Sequence, residues 1–330
     1  MSIKFLPFLY DLELIMPTDI HLYEKWLLDA DFLEIGPQVY AILQHQGRLE
    51  ETPLFFREKL KAEFKEIFYQ NLFIKQQTRE ILHQFEELEI TVIPLKGVIF
   101  AEKYFGHVGA RSTSDIDVLI KKKDLQRAIA CVQELGFQVV GEEIEEHFHS
   151  SCSKVLPNSE IPLTVELHWD ILPNNTSTLD IQELWNDSQV VESYIHVREL
   201  SLYHTFYMIC LHSWRHNLDS LKHYLDIIQL IYRYGEEVDY ERLVEDATSH
   251  KTLKRMIRTL SVVYQECPFL EKIKSFPFKK DSTFLSYDEK KGRLGRSLRK
   301  YADFIDYQFL NFDTVNHSIH AVVKWVKSIL

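Results

Sequence analysis

Two aspartates separated by one residue are the side chains of this sequence best suited to catalysis. Asp115 and Asp117 lie in the segment Ser-Asp-Ile-Asp-Val-Leu-Ile, which is predicted to form a β-strand. Because side chains alternate faces along a strand, both carboxylates project on one side, while Ile116 and Val118 project on the other. Two adjacent carboxylates repel each other unless a cation lies between them. The pair therefore predicts a site for hard divalent cations such as Mg²⁺, which can promote a phosphoryl displacement; a solvated strand edge is the alternative.

A second candidate lies upstream, in the tetrapeptide Pro-Leu-Lys-Gly that ends a short β-type run. Gly97 opens a predicted helix directly after this run, so free backbone N–H groups face outward and can bind phosphate. Lys96 adds a point charge suited to phosphate. A surface lysine with an extended side chain would give the same pattern. Together the two residues predict contacts with a phosphate group.

A third carboxylate is expected on a neighbouring strand. In the segment Pro-Leu-Thr-Val-Glu-Leu-His-Trp-Asp, the polar residues Glu166, His168 and Asp170 share one face of a predicted strand. Glu166 is the first choice for a metal ligand or for a group that activates an acceptor hydroxyl. Asp170, at the end of the strand, is the competing candidate. An ordinary half-exposed strand with its polar residues in water is the structural alternative.

One further candidate metal motif is less favoured. His147 and His149 lie two residues apart on a predicted strand and could approach His168 to form a metal site. Polar strand residues near a cleft are the more favoured interpretation of this pattern. The sequence contains neither a P-loop nor a G-x-G-x-x-G motif, so phosphate binding by those routes is not supported.

The elements that must position these residues fall into three regions. Residues 1–88 are predicted to be helical, because apolar residues recur there at three- and four-residue steps. Residues 89–172 form the core, with the order β-α-β-α-β-β-β, and residues 173–330 are again mostly helical. The predicted strands are 91–95, 115–120, 137–140, 147–156 and 162–169, the last two pairing antiparallel around a turn at 157–160. This order predicts an α+β fold, a small mixed sheet with helices on one face, flanked by helical regions.

Composition limits the classes of function. The formal net charge of -11 disfavours a large surface for long nucleic acid, and small anionic substrates would need a metal ion or a focused basic pocket. The four cysteines lie far apart without a C-x-x-C pair, which is typical of free thiols in a reducing cytoplasm. No run of about 18 apolar residues and no signal-peptide pattern is present. These features predict a cytoplasmic protein that does not engage a membrane.

The sequence resembles the uncharacterised nucleotidyltransferase family of the DNA polymerase beta-like superfamily. The residues that carry the resemblance are P-L-K-G, then Y, G, R and S-D-I-D-V-L-I, followed by L-G-F and V-E-L-H-W. The likeness covers about residues 80–235 and identifies residues 89–172 with the nucleotidyltransferase core. It implies that Lys96 and Gly97 contact phosphate, and that a D-x-D strand with a third carboxylate holds two Mg²⁺ ions. Asp115, Asp117 and Glu166 are then the catalytic and metal-binding residues. Further nucleotide contacts in the matching segments are Arg111, Ser114 and His168.

Two departures from the superfamily concern the nucleotide contacts. The usual Gly-Ser after the first strand is Gly97-Val98 here, and the gap to Asp115 is longer than usual. The P-L-K-G branch accounts for both differences.

The likeness extends to a helical element with two histidines four residues apart and a lysine and an aspartate four residues apart. These residues are His212, His216, Lys222 and Asp226. The resemblance implies that this element closes over the nucleotide, with Lys222 or Arg215 touching phosphates. In the structural alternative, Asp226 pairs with Lys222 or a histidine and fixes helix packing. A zinc-hydrolase site is disfavoured, because the glutamate expected beside the first histidine is Ser213.

The predicted activity is transfer of a nucleoside monophosphate from an NTP to a hydroxyl or phosphate of a small-molecule or peptide acceptor. A ribosomally made peptide, such as a lasso peptide, is among the acceptors that the resemblance implies. The alternatives are a transferase with a sugar-nucleotide donor, a nucleotide-binding regulator without catalysis, and a helical interaction protein. Three clustered negative charges disfavour a binding-only site.

Overall fold

The computed structural model describes residues 2–140, 148–155, 162–278, 284–292 and 298–329. The described chain divides into two compact units, of which the first comprises Met1–Glu34, Asn175–Asp180 and Leu202–Leu330. The second comprises Ile35–Asn174 and Ile181–Ser201. We call these unit 1 and unit 2. The three regions predicted from the sequence, 1–88, 89–172 and 173–330, are each continuous in the chain. Their boundaries stay a prediction.

A five-stranded mixed sheet lies in unit 2. Its strands are β1 Val92–Pro94, β2 Asp115–Ile120, β3 Gln138–Val140, β4 His149–Lys154 and β5 Leu163–His168. The strand order is β1-β2-β5-β4-β3; β2 and β5 run parallel, and the other neighbours are antiparallel. The predicted α+β class and the antiparallel pairing of the last two strands are confirmed. The predicted turn at 157–160 and His147 lie outside the described residues.

Helices make up most of the remaining described chain. They are α1 Leu6–Tyr10, α2 Ile20–Leu27, α3 Ala30–Glu34, α4 Gly36–His45, α5 Leu54–Glu87, α6 Val98–Phe105, α7 Leu125–Glu134, α8 Ile181–Asn186, α9 Leu202–Arg215, α10 Leu221–Tyr234, α11 Tyr240–Ser249, α12 Leu253–Glu266, α13 Tyr287–Lys291, α14 Leu298–Ile305 and α15 Val315–Ile329. A short hairpin in unit 2 joins β6 Gln189–Val190 to β7 Arg198–Glu199. Among the helices described, none combines the length and apolar character that a membrane span requires.

The core of unit 2 forms on the apolar face of the sheet. Ile116 and Val118 of β2 and Val165 of β5 are buried there together with Phe85 of α5 and Val132 of α7. Because side chains alternate along a strand, the residues that follow and precede these buried ones in β2 and β5 point to the opposite face of the sheet. The polar face thus carries the carboxylates, and the helices α5 and α7 cover the opposite face.

Unit 1 is helical, with α9 packed against α10 and α12. Helix α9 is mostly apolar and aromatic and buries most of its length, including Tyr207 and Leu211. All four cysteines are buried free thiols: Cys131, Cys152, Cys210 and Cys267.

Candidate active site

The carboxylates predicted from the sequence meet on the polar face of the sheet in unit 2. Asp117 on β2 lies directly opposite Glu166 on β5 in the parallel register, and Asp115 lies opposite Thr164. Asp117 is only 2% exposed, whereas Asp115 and Glu166 are half-buried. Ligand atoms of Asp117, Glu166 and His168 lie within 4.8 Å of one another. The parallel pairing therefore concentrates negative charge at one position of the sheet.

Lys96 supplies the cation that these carboxylates need. Its Nζ lies 2.8 Å from Oδ2 of Asp117 and 3.2 Å from Oδ2 of Asp115. The backbone places it there, because the N–H of Leu95 donates to the carbonyl of Asp117 at 3.0 Å and extends the β1–β2 pairing by one residue. The sequence predicted that Lys96 contacts phosphate; in this structure its amine bridges the two aspartates.

His168 forms the second bridge of the site. Its Nε2 lies 3.2 Å from Oδ1 of Asp117 and 3.1 Å from Oε2 of Glu166. The side chain is almost fully buried, and the ring of His149 lies 5.0 Å away, centroid to centroid. The residues Asp115, Lys96, Asp117, His168 and Glu166 therefore form one continuous chain of alternating acidic and basic groups.

These contacts shift the pKa values of the acids and bases in opposite directions. Burial alone would raise the pKa of Asp117, but Lys96 and His168 together outweigh it, and the pKa of Asp117 falls. Burial alone would lower the pKa of Lys96, but Asp117 and Asp115 together raise it. The hydrogen bond from His168 lowers the pKa of Glu166 to about 2 against the opposing effect of burial. Burial also opposes the rise in the pKa of His168, but Asp117 and Glu166 still raise it. The carboxylates are thus held ionised.

Asp170, the competing candidate for the third carboxylate, has a different environment. It follows the end of β5, and its Oδ1 accepts hydrogen bonds from the backbone N–H groups of Ile171 at 2.7 Å and Leu172 at 3.2 Å. These bonds fix the turn after the strand. Glu166 is the carboxylate that contacts His168 beside Asp117.

Gly97 adopts a backbone conformation that other residues rarely reach. Its φ is 78° and its ψ is -141°, and it immediately precedes α6. A Cβ at this position would lie 3.4 Å from both the carbonyl oxygen of Asp115 and Cγ2 of Thr113. Glycine therefore lets the chain turn sharply from Lys96 into the helix beside the aspartate strand. Helix α6 begins one residue after the predicted start.

Helix α5 holds the segment that leads into β2. The side-chain amide of Asn71 donates to the carbonyls of Val108 at 2.6 Å and Arg111 at 2.7 Å, and Gln70 donates to the carbonyl of Thr113 at 2.7 Å. A Cβ on Gly109 would lie 2.9 Å from Cβ of Phe68, so glycine permits this close approach.

The two remaining nucleotide candidates of this segment differ in exposure. Arg111 is 3% exposed, and its guanidinium lies 5.4 Å from the ring centroid of Phe100. The positive charge of Arg111 also acts on Lys96 and opposes the rise in its pKa. Ser114 is exposed immediately before β2. Both residues lie on the segment that leads into β2, the strand of Asp115 and Asp117.

The helical candidates belong to unit 1. His212 and His216 lie on α9, whereas Lys222 and Asp226 lie on α10, with Asp226 buried. Their contact with nucleotide stays a prediction from the resemblance.

The predicted approach of His149 to His168 is confirmed by the 5.0 Å between their ring centroids, and the charge of His149 also acts on Glu166. Two features of the described residues were missed by the sequence reasoning. These are the bridge from Lys96 to both aspartates and the position of His223 beside His212 and His216. Both depend on contacts between separate elements, and no spacing in the sequence signals them.

A family model described as uncharacterised nucleotidyltransferase matches residues 27–265. The fold and the acidic sheet face are typical of such enzymes, and the match spans more than half of the chain. The chain therefore belongs to this family and is a nucleotidyltransferase. Enzymes of this class generally act on NTPs with divalent metal ions. No curated protein matches the chain.

Two solved structures of the antibiotic-resistance factor ANT(2'')-Ia are similar to part of the chain. One is a solution structure, and the other is a crystal structure in complex with adenylyl-2''-tobramycin. Each has 17% identity to this chain and a TM-score of 0.34. The match to the solution structure covers 53% of this chain and 93% of the ANT(2'')-Ia chain. The match to the crystal structure covers 54% and 96%, respectively. A likeness at this level leaves the substrate of the present enzyme open.

Proposed function

We propose that this enzyme transfers a nucleoside monophosphate from an NTP to a hydroxyl or phosphate of a small-molecule or peptide acceptor, releasing pyrophosphate in a Mg²⁺-dependent reaction. The proposal depends on one observation: Asp117 and Glu166 lie side by side in the register of the adjacent parallel strands β2 and β5, and Asp115 lies on the same face. Three carboxylates on one face of a sheet repel one another unless cations compensate them, which makes this face suited to binding cations.

The donor set fits a hard divalent cation. Asp115, Asp117 and Glu166 offer carboxylate oxygens, which Mg²⁺ prefers. The carboxylates already hold one positive charge, the amine of Lys96, within 3.2 Å of both aspartates. When bound, the ions would neutralise the triphosphate and the attacking and leaving oxygens of the displacement. We assign Asp115 and Asp117 to both ions and Glu166 to one of them.

Lys96 has two roles in this proposal. In the protein without substrate, it neutralises Asp115 and Asp117. With Mg²⁺ on these carboxylates, its amine would be free to contact a phosphate of the NTP. Gly97 supports this second role, because the residue turns the chain directly into the N-terminus of α6, where backbone N–H groups favour an anion.

Glu166 suits metal binding better than proton transfer. A general base works best when its pKa lies near the working pH, whereas the hydrogen bond from His168 lowers the pKa of Glu166 to about 2. His168 holds Glu166 and Asp117 in fixed orientations through one nitrogen. Catalysis then depends on positioning and charge neutralisation, as in other phosphoryl-transfer enzymes.

The acceptor class follows from charge. The net charge of -11 disfavours a long polyanionic acceptor. We therefore propose a compact acceptor: a sugar, an antibiotic, a sugar phosphate, or a hydroxylated or phosphorylated peptide, including a ribosomally made peptide such as a lasso peptide.

A panel of the four NTPs and of sugar nucleotides, each with and without Mg²⁺, tests the donor and the metal together. We expect one NTP with Mg²⁺ to raise the melting temperature and to yield pyrophosphate when an acceptor of one of the proposed classes is added. Asp117→Asn should abolish pyrophosphate release while the fold is retained. Asp124→Asn is the matched control, because Asp124 is also buried and ion-paired, to Arg127, but lies outside the carboxylate cluster.

Undiminished turnover by Asp117→Asn would refute the assignment. Binding of an NTP without pyrophosphate release across the panel would favour a regulator, and consumption of a sugar nucleotide without pyrophosphate release would favour the other donor class.

A further inference from the structure

Three histidines of unit 1 converge where α9 meets α10. His212 and His216 lie four residues apart on α9, and His223 lies in the first turn of α10. One ring nitrogen of each lies within 4.8 Å of the others. The ring centroids are 4.7 Å apart for His212 and His216, 5.0 Å for His216 and His223, and 5.6 Å for His212 and His223.

A carboxylate orients one of the three rings. Oδ1 of Asp219 lies 3.3 Å from Nδ1 of His223, which leaves Nε2 of that ring for another partner. A carboxylate that binds the second nitrogen of a metal-ligating imidazole is a recurring arrangement, because it fixes the ring and increases its basicity. Asp219 lies in the turn between the two helices, so the turn itself supplies the orienting group.

The turn is held by groups outside the histidine cluster. Asn217 and Leu218 both have a positive φ, 50° and 51°, which is uncommon for residues other than glycine. Nζ of Lys290 donates to the carbonyl of Asn217 at 2.8 Å, and Arg258 donates to its side-chain oxygen at 3.3 Å. The relative position of α9 and α10 is therefore fixed without help from the histidines.

We propose that His212, His216 and His223 form a binding site for a transition-metal cation of the zinc type, with Asp219 as the carboxylate that orients His223. Imidazole nitrogens suit Zn²⁺, whereas Mg²⁺ requires oxygen ligands. Three protein ligands leave one tetrahedral position open, and His216 is exposed, so the site has access to solvent.

The three histidines belong to unit 1 and the carboxylates to unit 2, and the zinc site does not depend on the proposed function. It also differs from a zinc-hydrolase motif, since its third ligand comes from the following helix and no glutamate adjoins His212. A bound cation would link α9 to α10 and stabilise unit 1.

The test is a Zn²⁺ titration of the full chain after removal of metal with a chelator, followed by calorimetry and by thermal unfolding. Co²⁺ serves as a second probe, because tetrahedral nitrogen ligation gives visible absorption bands. The titration is also run on Asp117→Asn, so that any zinc held by the carboxylate cluster is separated. We expect one equivalent of Zn²⁺ that Asp117→Asn retains and that His216→Ala loses.

His83→Ala is the matched control, because His83 is also an exposed histidine within a helix. It should bind Zn²⁺ as the wild type does. Asp219→Asn should keep the site but weaken zinc binding on the order of 10- to 100-fold, the usual effect of losing an orienting group.

Equal zinc stoichiometry in His216→Ala and His83→Ala would overturn the proposal. A second result would overturn it too: His216→Ala binds zinc unchanged, and inorganic triphosphate stabilises the wild type but not this variant. The cluster would then be a phosphate site. Because His216 is exposed, its replacement tests the site without disturbing the fold.

Discussion

Each of the two units buries a lysine amine, and the surroundings of the two amines shift their pKa in opposite directions. In unit 2, burial alone would lower the pKa of Lys96, but Asp117 and Asp115 raise it above its usual value. In unit 1, burial and the neighbouring Arg258 lower the pKa of Lys290 to about 8. Equal depth in the protein therefore does not decide the charge of a lysine; the sign of the adjacent groups does.

The same contrast separates the two clusters of potential metal ligands. The cluster of unit 2 offers carboxylate oxygens, which suit hard cations, beside the amine of Lys96, which suits phosphate. The cluster of unit 1 offers imidazole nitrogens, which suit zinc-type cations. The two proposed sites would thus differ in the cation that they prefer, and the following substitutions test how charge is compensated in each unit.

The largest effect is expected from Glu166→Gln. Loss of this charge should lower turnover on the order of 10²–10³-fold, comparable to removal of one group that stabilises charge in the transition state. Steady-state pyrophosphate release measures the change. Asp170→Asn is the matched control, since Asp170 accepts backbone hydrogen bonds after β5, and a larger loss in that variant would reassign the third carboxylate.

Replacing Lys96 with Met should destabilise the metal-free protein by about 3–5 kcal/mol, because it leaves Asp117 buried without its cation. Chemical denaturation measures this loss. Mg²⁺ should recover more stability in the variant than in the wild type, because the ion then supplies the missing charge. A variant that is as stable as the wild type without metal would contradict the account of Lys96 as an internal cation.

Lys290 should make the stability of the protein depend on pH in the alkaline range. The folded protein releases this proton near pH 8, whereas the unfolded chain keeps it to about pH 10.5. The unfolded state binds more protons between these values, so the free energy of unfolding should rise with pH there, on the order of 3 kcal/mol at most.

The measurement is the difference in pH slope between the wild type and Lys290→Met, obtained by urea denaturation at a series of pH values. Lys290→Met also loses the hydrogen bonds to Asn217, which lowers the free energy of unfolding at every pH but leaves its slope against pH unchanged. Lys291→Met, at the exposed neighbouring position, should keep the slope of the wild type. Equal slopes in all three proteins would show that Lys290 is not discharged by its surroundings.

The smallest effect is expected from Gly97→Ala, which should cost about 1–2 kcal/mol of stability from the positive φ. Gly47→Ala is a useful control, because Gly47 also has a positive φ, 71°, but nothing lies within 4 Å of its added Cβ. Only Gly97→Ala should also raise the KM for the NTP, since the turn beside Asp115 would have to shift. Equal KM values in both variants would argue against a phosphate contact at this turn.

The strands and the acidic face could be predicted because their information is local. Alternation of apolar and polar residues at 115–120 and 163–168 defines which side chains share a face, and that pattern does not depend on the partner strand. The start of α6 agrees for the same reason, since the helix begins at Val98, one residue after the predicted Gly97.

The sequence by itself determined the family, the five strands of the core and the common face of Asp115 and Asp117. Only the tertiary structure decided that β2 lies beside β5, so that Asp117 opposes Glu166, that Lys96 bridges both aspartates, and that His223 joins His212 and His216. The physical reason is the range of the contacts: strand pairing and helix packing join residues distant in sequence, and the periodicity of one element does not specify its neighbour.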